Sequence, residues 1–108
     1  MKMLKKEAEQ RQAVEMLCTD MLVPREHLLR KIDAAVNFAR IYELVEDLYC
    51  EDNGRPSCDP VVLFKLVLIQ HLFGIRSLRQ TMRDAEVNVA YRWFLGYTMS
   101  QQLPHFAT

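Results

Sequence analysis

Residues 61–73 form a nearly unbroken apolar run, and both of its ends carry helix punctuation. Asp59 suits an N-cap, Pro60 the first helical position and Gly74 the left-handed residue that closes a helix. Apolar side chains then fall on almost every side of the helix, so it predicts a central element with the others packed around it. Burying one Leu or Phe is worth about 1.5–3 kcal/mol, and a polar substitution here is expected to unfold the domain. The run spans 13 residues and contains Lys65, Gln70 and His71. It is short of the roughly 20 residues needed to cross a bilayer, and no membrane association is expected.

A chain of 108 residues that is half hydrophobic suffices for one small domain. It leaves little room for a doubly wound or barrel catalytic domain, which takes roughly 150–250 residues. With 3 Gly and 4 Pro among many helix formers, the fold class is all-α. We expect a compact bundle of about five to six helices with a helix-turn-helix-like C-terminal part. Fourteen basic and fourteen acidic side chains give zero net charge, so any electrostatic signal is local. Cys18, Cys50 and Cys58 are odd in number, contain no CxxC pair and follow no signal-peptide core, which fits reduced thiols in a cytoplasmic protein.

Residues 1–22 read as a charged helical arm with a thin stripe of Leu4, Ala8, Val14, Leu17 and Met21, suited to docking or to a homodimer contact. A second helix is expected from near Pro24 to Val36, and a third from Phe38 to the turn cluster at 52–56. Ser77 and Gln80 match a capping box opening a fifth helix, 78–86. Asn88 is placed to cap a short sixth helix ending at Gly96, followed by an irregular tail.

Local charge separates the two halves. Residues 43–59 hold six acids against Arg55, a net of −5, whereas residues 76–92 hold Arg76, Arg79, Arg83 and Arg92 against Asp84 and Glu86, a net of +2. On a helical wheel Arg76, Arg79 and Arg83 fall away from Leu78, Met82 and Ala85. Arg suits phosphate because its planar fork donates paired hydrogen bonds, so this row points to a nucleic-acid backbone. The alternative reading is an ordinary solvated helix face. Tyr91 and Trp93 are read as packing residues and Arg92 as the long polar side chain of the last helix. His27, His71 and His105 lie far apart with no zinc spacing, His71 reads as a hydrogen-bonded core-edge residue, and no cofactor is expected.

The wording of the chain adds a family. Residues 22–33, residues 49–57, Asp59-Pro60-Val61, Gln70-His71-Leu72-Phe73-Gly74-Ile75, Ser77-Leu78-Arg79-Gln80 and residues 88–96 resemble the N-terminal domain of bacterial insertion-sequence transposases. The resemblance implies an all-α domain, 23–96, that binds the double-stranded DNA of transposon ends. It also implies a linker, 97–108, leading toward a ribonuclease-H-like domain whose three metal-binding acids have no counterpart here. It supports Arg79 and Arg92, which lie in shared motifs, better than Arg76 and Arg83. The expectation is therefore a DNA-binding module that does not itself cut DNA. An assembly module working through residues 1–22, or a truncated regulator, are the alternatives.

Overall fold

The computed structural model describes residues 10–50 and 59–104. Among these residues are six helices and no strand: α1 (Thr19–Leu22), α2 (Leu28–Ala35), α3 (Ala39–Cys50), α4 (Pro60–Leu72), α5 (Leu78–Val87) and α6 (Val89–Leu95). The fold is the all-α bundle expected from the sequence.

Local chemistry explains most of the boundaries. Asp59 Oδ1 accepts from the Val61 N–H at 2.9 Å, with Pro60 at the first position of α4. Gly74 takes φ +63°, so the Ile75 N–H reaches the Gln70 carbonyl at 3.0 Å and closes the helix. Gly96, at φ +89°, ends α6 in the same way, with Tyr97 N–H on the Arg92 carbonyl at 2.9 Å. Asn88 Oδ1 caps α6 through the Tyr91 N–H at 3.0 Å.

Two boundaries depart from expectation. The second helix starts at Leu28 rather than near Pro24, because residues 24–27 make a turn closed by His27 N–H on the Pro24 carbonyl. His27 Nδ1 then accepts from the Leu29 N–H at 3.0 Å, so this histidine is the N-cap of α2. Of the helix expected over 1–22, only Thr19–Leu22 is helical among the described residues, and 1–9 lie outside them. The physical reason lies in exposure: Val14 of the stripe is 96% and nearby Met16 97% exposed, so nothing on the body meets them, and an undocked segment of this length gains little by coiling.

Leu29, Leu66, Ile69 and Phe94 are fully buried and form the centre of the core. Phe38 packs edge-on against Phe94, ring centroids 5.6 Å apart at 84°. The hub is α6, which packs against α1, α2, α4 and α5, whereas α4 touches α3, α5 and α6. This corrects the expectation that α4 is wrapped on all sides. Val61, Val62, Leu66 and Ile69 are buried, yet Phe64 and Val67, on the flank that faces α3, remain exposed, as do Leu72 and Phe73 at the end of the helix.

One cation sits within this packing. Lys65 Nζ donates to the Phe94 carbonyl at 2.8 Å and lies over the Phe38 and Phe94 rings. Burial pushes its pKa down, while Asp33, 3.8 Å away, and Asp59 pull it back up. The ammonium thus satisfies a carbonyl in the last turn of α6, where the helix dipole favours positive charge.

Candidate nucleic-acid interface

Helix α5 is held by one side and open on the other. Ser77 is its N-cap, accepting from the Gln80 N–H at 3.1 Å. The reciprocal half of the expected capping box is not made: Gln80 Nε2 donates to Asp84 Oδ1 at 2.8 Å, one turn along the helix. Thr81 and Ala85, four residues apart, are fully buried, and the Thr81 hydroxyl donates to the Ser77 carbonyl at 2.9 Å. That fixes the inner face of α5.

Arg79 and Arg83, also four residues apart, therefore lie on the opposite, exposed face. Arg76 is exposed as well, but it precedes the N-cap in the turn after Gly74 and so borders the helix instead of riding on it. No hydrogen bond or ion pair holds the Arg76 or Arg83 side chain among the described residues; Arg79 is engaged by another group. Exposed Glu86 and half-exposed Asp84 stand on the same helix, leaving these three arginines a net local charge of +1.

Arg92 has a different environment. It is 8% exposed, and its guanidinium donates to the carbonyls of Glu86 at 3.1 Å, Thr98 at 2.8 Å and Gln101 at 2.7 Å. The phosphate contact expected of Arg92 gives way to this role, because reaching a duplex would leave three carbonyls without their donor. The side chain ties the tail to α6, and Leu103 follows it into the core. Residues 97–103 are thus packed on the bundle rather than strung out from it. A polar tail directly after a glycine-closed apolar helix is the sequence signal that foreshadows such a clamp.

A second cluster was not foreseen. Asp20 Oδ1 accepts from Trp93 Nε1 at 2.9 Å and from Arg30 at 3.1 Å, and Arg30 also donates to the backbone carbonyls of Asp20, Val23 and Pro24. The Trp93 and Arg30 hydrogen bonds hold the Asp20 carboxyl below the usual carboxylate range. These groups pin α1 against α6.

The histidines take structural places: His27 caps α2, and His71, exposed on α4, has Nδ1 2.9 Å from the Val67 carbonyl. His105 lies outside the described residues, as does the turn between Cys50 and Cys58. Among the described residues no group of three or more His, Cys, Asp or Glu is placed to hold a metal ion. No helix among them is long and apolar enough to cross a membrane.

The arrangement is that of an all-α domain with an arginine-bearing outer face on α5 and, among the described residues, no group placed to hold a metal ion. A family described as transposase domain (DUF772) matches residues 17–108, and the chain belongs to that family. No curated protein and no solved structure matches it.

Proposed function

We propose that this chain is a DNA-binding module of a transposase that holds transposon-end duplex through phosphate contacts along the outer edge of α5. The observation that carries the reading is the placement of Arg83 and Arg79 one turn apart on the face opposite buried Thr81 and Ala85, with Arg76 beside the helix start. Membership of a transposase-domain family supports DNA as the polyanion. Guanidinium groups so displayed position a backbone and carry no base code. Sequence preference then comes from duplex shape or from contacts elsewhere in the transposase.

In this reading the chain works in the bacterial cytoplasm on nucleoid DNA, and strand cleavage belongs to a ribonuclease-H-like domain outside these residues. Two phosphate contacts, from Arg76 and Arg83, give a salt slope of log affinity of about −1.8, and a third from Arg79, exchanged from its present partner, about −2.7. Fluorescence anisotropy with duplexes carrying the element's terminal repeats, against scrambled duplexes, at several salt concentrations tests it. Absent or salt-insensitive binding sinks the reading, and equal binding to both duplexes sinks end recognition.

A further inference from the structure

The far end of α5 carries an acid that gripping phosphate does not explain. Glu86 stands three residues after Arg83, so the two are neighbours on the helix surface, with Cβ atoms about 5–6 Å apart. Glu86 is exposed, and no hydrogen bond or ion pair holds its carboxylate among the described residues, whereas Asp84 is engaged by Gln80. Glu86 also borders a notch of about 290 Å³, whose other lining residues are Val87, Val89, Arg92 and Met99. Val87 is 86% and Met99 47% exposed, and the Arg92 guanidinium already donates to backbone carbonyls. The side chains of the notch therefore offer a ligand one carboxylate acceptor set beside apolar groups.

We propose, resting on the reading of α5 as a duplex-binding edge, that Glu86 reads a cytosine in the major groove: its carboxylate accepts from the exocyclic N4 amino group, and Val87 and Met99 border the apolar C5 edge of the base. An arginine at position 83 that holds a phosphate carries Glu86 to the duplex with it, and an unpaired carboxylate there is repelled by the phosphates. A base amino group is what offsets that repulsion. Guanine and thymine present acceptors in the major groove, which oppose a carboxylate. Adenine sets its amino group beside the N7 acceptor, whereas cytosine offers the N4 donor next to a C–H edge. Cytosine is thus the base that suits an acid flanked by apolar side chains, and the contact supplies a sequence preference that guanidinium groups on phosphates lack.

Fluorescence anisotropy with terminal-repeat duplexes tests the pairing, each cytosine in turn being replaced by thymine and its guanine by adenine. Wild type is expected to lose affinity roughly tenfold at one or more of these positions, the order of a single base contact. Glu86→Ala is expected to erase that loss at the same position and to bind scrambled duplex more tightly than wild type, because no charge at residue 86 then opposes the phosphates. The variant keeps the backbone carbonyl that Arg92 holds, and circular dichroism checks that it is folded. A wild type indifferent to every replacement overturns the proposal. So does a Glu86→Ala variant that keeps the same loss, whether its affinities rise alike for all duplexes or stay unchanged, since an ordinary solvated acid behaves that way. A wild type that binds no duplex sinks the α5 reading and this one together, whereas salt-dependent binding without the coupling between residue 86 and a cytosine sinks this one alone.

Discussion

The Arg30 guanidinium lies 4.6 Å from the centroid of the Trp93 ring, and both side chains donate to the same oxygen, Asp20 Oδ1. A cation stacked on an aromatic face and a shared carboxylate acceptor join α1, α2 and α6 at one point.

Acid is expected to loosen that junction. The Asp20 carboxyl titrates below its ordinary value, so its contribution to stability is complete above about pH 4 and fades as pH falls through the lowered native value. Trp93 is the single tryptophan, so its emission reports the event directly. We expect a red shift in acid, and the same shift at neutral pH in Asp20→Ala. An Asp20→Ala variant whose emission matches wild type at pH 7 disproves the junction.

Arg92 is predicted to matter for folding and not for binding. Arg92→Met removes the donor of three carbonyls in a site 8% exposed and is expected to cost about 2–4 kcal/mol in urea unfolding. Arg92→Lys recovers only part, because an ammonium lacks the planar fork. A loss under about 0.5 kcal/mol, the range of ordinary surface changes, contradicts the clamp.

Arg83 is predicted to behave in the opposite way. Arg83→Ala leaves stability within about 0.5 kcal/mol, because the side chain is exposed and no hydrogen bond or ion pair holds it among the described residues. Its duplex affinity falls alike for every sequence, with a salt slope shallower by about 1. An unchanged slope removes Arg83 from the interface.

Phe94 anchors the core at 1% exposure, between Phe38 and the Lys65 ammonium. Phe94→Ala is expected to cost about 3–5 kcal/mol. Against a typical total of about 5–15 kcal/mol, that brings the domain close to unfolding at ambient temperature. Thermal melting followed by circular dichroism checks it.

What the sequence disclosed tracks what is local in the physics. Asp59, Pro60 and Gly74 bracket α4, and Ser77 and Asn88 open α5 and α6, because a cap needs only neighbours a few residues away. Long-range partnerships left no such trace. Nothing in the spacing of Asp20, Arg30 and Trp93 says they meet, and periodicity cannot tell whether an arginine such as Arg92 points outward or stitches a tail in place. The extent of the N-terminal helix was misread for a related cause: an amphipathic stripe proposes a helix, but only a surface to receive it makes one persist. For the candidate interface, the wheel correctly separated Arg79 and Arg83 from the buried side of α5, while it placed Arg76 on a helix that starts two residues later.

Every side chain of α6 is buried or half-buried, although the helix is only seven residues long. A segment so absorbed by its own protein has no ridge left to slide between the strands of a duplex. Whatever this domain grasps, it grasps from its rim, as a hand rests on a banister, and letter-by-letter reading through its final helix would require prising the molecule apart.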